Sequence, residues 1–314
     1  MKDKIAKHIK YNWQIYVLFI PALIWMVMFV FVPFGRNVIM SFQDYIPQPD
    51  NVKLPNRGIL GSEFCWFDNY VDFFTAGDFW KLLGNTFALN LMTLAIGFPA
   101  AIVLAIMIYE SKSGAIKGFA QTATFLPFFI SSVVVCNLVI EFLKADTGML
   151  VTIFEWFGMD RKNLLEDPRY FRIIYSIMDL WQTVGYNSLV YIAALSAIDT
   201  SLFEAASIDG AGKFKQIWHV TLPGIAPTII ITLILKVGKL MSLGYEKVLI
   251  LQQVKGNKAT SEILSTYVYN MTLGSQAPNY GLSAAIGIFD AVVAIVLVVL
   301  VNKLAKKVSD TALW

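Results

Sequence analysis

Few residues in this chain carry charge or reactive chemistry. Only 15% of its 314 residues are charged, against 57% hydrophobic. A soluble domain of this size needs more charge on its surface, and apolar residues gathered into runs of about 20 point to a membrane-spanning protein. The formal balance of +3 is too weak to argue for nucleic acid as a partner. Two cysteines, Cys65 and Cys136, fall in a probable external loop and a probable span, which disfavours a disulfide. Two histidines, His8 and His219, lie far apart, and no HExxH or CxxC pattern occurs. Neither a metal site nor a nucleophilic enzyme centre finds its residues here. No internal repeat and no low-complexity tract is present, so the chain reads as one polytopic domain.

What is present is six apolar segments. The first, about 15–34, follows a basic stretch but lacks a small-x-small cleavage site, so it reads as a retained span. The others run over about 85–109, 120–143, 173–198, 222–246 and 282–302. Gly97 and Pro99 predict a kink in the second, and Pro127 lies inside the third. The fifth is the least regular, because Lys236 and Lys239 interrupt it and must sit in protein or a wet cavity. The segment 35–83 is polar, with prolines and glycines that predict loops and short helices.

Lysines mark the orientation. Lys2, Lys4, Lys7 and Lys10, then Lys112 and Lys117, Lys213 and Lys215, and Lys303, Lys306 and Lys307 occupy alternate connecting segments. The positive-inside rule places these, both termini included, in the cytoplasm. Segments 35–83, 144–172 and 247–281 then face outside.

The stretch EAASIDGAGKFKQIWHVTLP, Glu204 to Pro223, is polar between two apolar runs. Asp199 or Thr200 can cap a helix through SLFEAASI, and Asp209-Gly210 breaks it. KFKQIWHV predicts a second short helix ended by Pro223. Two amphipathic helices meeting at a glycine turn, with Leu202 and Phe203 as an apolar knob, make a docking surface for a cytosolic partner. A helix lying on lipid, with Trp218 as anchor, is the alternative. DGAGK fails as a phosphate-binding loop: Ser207 stands where its first glycine is required and Phe214 where Ser or Thr is required.

Glu204-Ala205-Ala206, Gly210, Val220, Leu222 and Pro223 match the EAA loop, EAA-x3-G-x9-I-x-LP, with Val for Ile. The chain therefore resembles the permease subunits of binding-protein-dependent ABC importers. FDNYVDFFTAGDFWKLLGNT, FLPFFISSVVV, GYEKVLIL and the closing SDTALW are similar to the carbohydrate branch, the alginate-importer type included. The resemblance covers nearly the whole chain. It implies an all-α fold of six transmembrane helices, type I importer-like, in the bacterial cytoplasmic membrane. It implies a coupling loop, 199–221, seated in a cleft of a cytosolic ATPase, with Glu204 as charged contact and Gly210 as turn. Asp209 and the flanking Leu222 and Pro223 belong to the same unit. It further implies a second homologous permease, two ATPase subunits and an extracellular substrate-binding protein, periplasmic or lipoprotein. That protein would dock on 35–83. ATP and Mg would be bound by the ATPase, with no cofactor on this chain.

A sugar crossing a bilayer needs hydrogen-bond partners, so polar residues inside spans are the candidate path. Asp179, Gln182, Thr183 and Tyr186 have one-face helical spacing, with Asn187 adjoining. Counting back from the EAA loop places the four on substrate-contacting positions of maltose-type permeases. Lys236, Lys239, Ser242 and Glu246 recur at three- and four-residue intervals and form a second set. The lysines would favour an anionic oligosaccharide; alternatively they pair with Glu141, Asp290 or Asp179, and Asp179 is merely solvated. Other expectations are a monosaccharide or small polar solute as cargo, and an ion-coupled secondary transporter using Asp179, Glu141 and Asp290 as a relay.

Overall fold

The computed structural model describes residues 11–47, 56–158, 160–241 and 244–308. The basic N-terminal stretch with His8, the closing SDTALW and Ser242 lie outside them. In chain order the elements are α1 (Trp13–Met40), β1 (Gln43–Asp44), α2 (Gly58–Gly61), β2 (Glu63–Phe64), α3 (Asp68–Thr75) and α4 (Phe79–Glu110). Then come α5 (Gly114–Phe125), α6 (Ser132–Phe142), α7 (Met149–Trp156), α8 (Pro168–Ser196) and α9 (Thr200–Ile208). The last are α10 (Lys213–Val237), α11 (Tyr245–Leu251), α12 (Lys258–Ser261), α13 (Leu264–Thr272) and α14 (Tyr280–Val308). Four helices, α1, α4, α10 and α14, are long and apolar enough to cross a membrane, and two bent pairs bring the total to as many as 6.

The chain divides into two compact units, Met1–Phe79 with Asn270–Phe289, and Trp80–Tyr269 with Asp290–Trp314. In the first, β1 and β2 pair antiparallel, Gln43 opposite Phe64. Asn69 ties this hairpin down by donating to the carbonyls of Ser41 (3.1 Å) and Gln43 (3.0 Å). Phe73, Phe79 and Phe289 meet edge to face below it. Gly281 lies so close to the Gln43 carbonyl that a Cβ has no room. The most apolar stretch of α1 has none of its residues buried by the rest of the chain.

In the second unit two clusters hold the helices. One joins Leu89, Val135, Phe171, Val248, Leu251 and Ile263. The other packs Tyr191, Leu195 and Ile225 against Ala101 and Ala105, small residues one turn apart that let helices approach closely. At one end a polar cap satisfies buried groups: Asn85 donates to the carbonyls of Ala259 and Glu262, and Thr86 accepts from the Leu264 N–H.

Several expected boundaries move. α1 continues to Met40 and α4 begins at Phe79, so the intervening loop is shorter than 35–83 and contains a strand pair. The third segment is not one helix. Pro127 supplies no N–H, the chain passes through a 3-10 turn into extended Ile130, and Ser131 caps a new helix by accepting from Val134 N–H. The two pieces, Gly114–Phe129 and Ser132–Phe142, lie 96° apart. Pro223 does not end a short helix either. A π turn, Ile217–Thr221, precedes it, so Lys213–Val237 is one continuous helix. The same device, π turn Val27–Phe31 before Pro33, occurs in α1. Widening the turn relieves the clash between the proline ring and the preceding carbonyls. Finally, the fifth span closes at Val237 and the chain restarts as α11 at Tyr245.

Candidate functional site

Asp199 caps α9 by accepting from Ser201 N–H at 2.9 Å. That bond, with the Ser201 hydroxyl, holds its carboxyl below the usual aspartate range. The axis turns 71° between α8 and α9. At the far end of α9, Gly210 takes φ of +73°, a region side chains avoid. Gln216, buried, then staples the turn by donating to Ser207 Oγ (2.9 Å) and the Ala211 carbonyl (3.1 Å). Lys213 pairs with Glu110 of α4 at 2.7 Å. Glu204, Ala205 and Asp209 are exposed, Ala206 is half-buried. Leu202, Ile208, Phe214 and Trp218 are exposed large apolar side chains on the same helix–turn–helix. Phe203 is half-buried, and the exposed Ile208, Phe214 and Trp218 extend the apolar knob beyond Leu202 and Phe203.

The proposed substrate face of α8 divides. Asp179, Thr183 and Asn187, each one turn from the last, line a cavity of about 230 Å³ with Lys236, Lys239 and Asn90. A second cavity, about 450 Å³, shares Asn187, Lys236 and Lys239 and adds Tyr186. Tyr186 stacks on Phe128 at the break of the third segment, with centroids 4.0 Å apart and planes 4° from parallel. Gln182 turns away from both cavities. It is buried and donates to the Ile130 carbonyl at 2.8 Å. That carbonyl sits in the extended break after Pro127, and Gln182 ties it to α8.

The second set also separates. Lys236 and Lys239 line the cavities, and Lys236 donates to Asn187 Oδ1 at 3.2 Å. Glu246 is exposed on α11, because the helix assumed to carry all four residues ends at Val237. Ser242 is outside the described residues. Glu141 pairs with Lys144, and Asp179 with Lys247 at 2.7 Å. Neither carboxylate forms an ion pair with Lys236 or Lys239. Among the described residues no carboxylate lies within ion-pair distance of those lysines, though the charge of Asp179 acts on Lys236. Lys247 is the residue that sequence reasoning missed. Its only mark was a charged position in GYEKVLIL, 68 residues from its partner.

Helices of membrane length, a polar cavity with two lysines lined by α4, α8 and α10, and an exposed helix–glycine–helix turn following α8 are features of a membrane solute permease. The chain belongs to the family described as binding-protein-dependent transport system inner membrane component, whose model matches residues 97–310. It is 37% identical over 300 residues to the polygalacturonan/rhamnogalacturonan transport system permease protein YteP of Bacillus subtilis, covering 96% of this chain and 90% of the relative. It is 28% identical over 255 residues to the lactose transport system permease protein LacF of Rhizobium radiobacter, with 80% of each covered. A crystal structure of a bacterial alginate ABC transporter, in complex with alginate pentasaccharide-bound periplasmic protein, superposes with TM-score 0.85 at 35% identity, covering 98% and 99% of the two chains. Membership sets aside the ion-coupled secondary transporter. Asp179 and Glu141 are each held by a lysine and do not form a relay.

Proposed function

We propose that this chain is the permease subunit of an ATP-driven importer that moves carboxylate-bearing oligosaccharides across the bacterial cytoplasmic membrane. The observation that carries this is charge. The cavity walls hold two lysines with no carboxylate in ion-pair contact, and the one carboxylate there, Asp179, is paired with Lys247 while its charge also acts on Lys236. A cation at membrane depth is costly unless something compensates it, and a uronate carboxylate does so. Hydroxyl partners come from Asn90, Thr183 and Asn187, and an aromatic face comes from Tyr186. The relatives' cargoes, polygalacturonan and alginate on the one hand and lactose on the other, span acidic and neutral glycans. Lys236 and Lys239 favour the acidic group for this chain.

In this reading both termini and the 199–221 turn face the cytoplasm. The turn engages an ATPase dimer, which binds ATP and Mg, and this chain holds no nucleotide or other cofactor. A second homologous permease completes the path, and an extracellular binding protein delivers the glycan to the outer loops. ATP closure moves the ATPase cleft, and the α9 turn passes that motion across the 71° bend to α8, which lines the cavity.

Two measurements test this. Co-expression with candidate ATPases should recover a complex that Glu204→Lys disrupts. In uptake assays Lys239→Ala should depress transport of a galacturonide oligomer far more than that of a neutral oligosaccharide. Equal loss on both removes the acidic cargo from the reading.

A further inference from the structure

Lys247 itself lines neither cavity, but it pairs with Asp179, which lines the smaller one. Its ammonium lies 2.7 Å from the Asp179 carboxylate, and the two side chains are only 16% and 23% exposed. Asp179 itself lines the cavity one turn from Thr183 and two from Asn187. Lys247 is on a firmly seated element. Its neighbours Val248 and Leu251 are fully buried in the larger core cluster, and its carbonyl meets the buried Cys136 thiol. The lysine is thus aimed at the cavity wall by packing, and its charge is cancelled there by one carboxylate. The adjacent Glu246 is exposed and makes no ion pair among the described residues, so it does not share the task.

We propose that Lys247 is a third cation of the substrate path and that Asp179 is the specificity-determining residue that keeps it in reserve. With Asp179 charged, the cavity offers two ammonium groups outside any ion pair, Lys236 and Lys239, the first of them within the field of Asp179. Without that charge it offers three. Asp179 therefore sets how strongly the path holds an acidic sugar, and so limits trapping of a cargo that must leave again. The inference rests on the acidic-glycan reading above and assigns its charge balance.

The two partners make opposite predictions for the same ligand. Asp179→Asn keeps the shape and an oxygen that can accept from Lys247, but releases its charge to the cavity. Lys247→Gln leaves Asp179 without its ion pair, so that its charge acts more fully on Lys236, which it already reaches, and on Lys239. A partnership that only braces α8 against α11 predicts weakening by both substitutions alike.

The test is equilibrium binding of a labelled galacturonide trimer to the purified permease–ATPase complex, without the extracellular binding protein, so that the permease site alone is read. The methyl-esterified trimer is the neutral control. Asp179→Asn should tighten galacturonide binding by about tenfold, as one unit charge acting through partly wet protein allows. Lys247→Gln should weaken it by a similar factor, with the ester affected little by either. Weakening by both variants, equal changes for trimer and ester, or no change in either overturns the assignment. If Asp179→Asn does not assemble, the Lys247→Gln arm decides it by the ratio of trimer to ester. A wild-type complex that does not prefer the trimer over its ester overturns the acidic-glycan reading and this inference with it. A wild type that does, with variants that lose both ligands equally, overturns this inference alone.

Discussion

Gln182 of α8 donates from Nε2 to the carbonyl of Ile130 at 2.8 Å, across 52 residues of sequence, and is buried in doing so. The contact explains how a span interrupted by Pro127 stays in place. The extended residue at the break has no helix to take its carbonyl, and a side chain from the neighbouring helix takes it instead. Gln182→Leu removes that donor and leaves the carbonyl buried. The expected cost is about 1–3 kcal/mol, read as a lower melting temperature of the purified complex. Because Gln182 faces away from both cavities, the ratio of acidic to neutral uptake should not change. A changed ratio at unchanged stability would return Gln182 to the substrate path.

One turn further along α8, Gly185 rests on the backbone of Thr124 in α5, where a Cβ would run into the Thr124 carbonyl. Gly185→Ala should therefore force the two helices apart, costing about 1–3 kcal/mol as core overpacking does. Gly84, on α4, has open space where a Cβ would stand, with nothing within 4 Å. Gly84→Ala should be neutral, or stabilising by the roughly 0.5–1 kcal/mol that a helical glycine forfeits. Comparing the two melts separates a packing requirement from a general intolerance of substitution.

These contacts show what was legible in the sequence. The coupling turn was, because its determinants are local: Asp199 caps two residues on, Gly210 supplies the positive φ, and the EAA spacing fits one short helix. The first, second and sixth spans were legible from apolar length. The break at Pro127 was not, since membrane helices usually absorb a proline and the Gln182 contact that takes the Ile130 carbonyl comes from another helix. The end of the fifth span was misjudged for a related reason. Lys236, Lys239 and Glu246 keep helical spacing, but the helix ends at Val237 and Gly244 precedes its restart, so Glu246 leaves the cavity. The Asp179–Lys247 pair joins two elements whose proximity no local pattern encodes.

Asp199 yields a prediction in pH. Its carboxyl lies below the usual aspartate range because the Ser201 N–H, and then the Ser201 hydroxyl, bond the charged form. A group lowered in this way contributes stability above the ordinary aspartate range and loses it as pH falls through the lowered value. The cap is therefore fully charged at neutrality, and coupling of ATPase activity to transport should show no loss from this group between about pH 5 and 8. Asp199→Ala should fray the first turn of α9 and lower transport relative to ATP hydrolysis at every pH in that range. Asp199→Ser, which can still accept from the backbone, should restore most of it. Loss of coupling in Asp199→Ser equal to that in Asp199→Ala would deny the capping role.

Cys65 and Cys136 together test the orientation. Cys65, in the segment between α1 and α4, is partly exposed, whereas Cys136 on α6 is fully buried. Burial, aided by the carboxylates of Asp68 and Asp44, pushes the Cys65 thiol up, and the backbone N–H groups of Asn69 and of Cys65 itself work the other way. Since the thiolate is the nucleophile, Cys65 should react slowly with a membrane-impermeant maleimide at neutral pH and faster as pH rises. If the lysine-rich connecting segments face the cytoplasm, this labelling occurs on intact cells and Cys65→Ser abolishes it. Cys136 should stay unlabelled until the protein is unfolded. Labelling of Cys65 only after the membrane is opened would invert the chain, put the EAA turn outside, and leave the proposed ATPase contact without a partner.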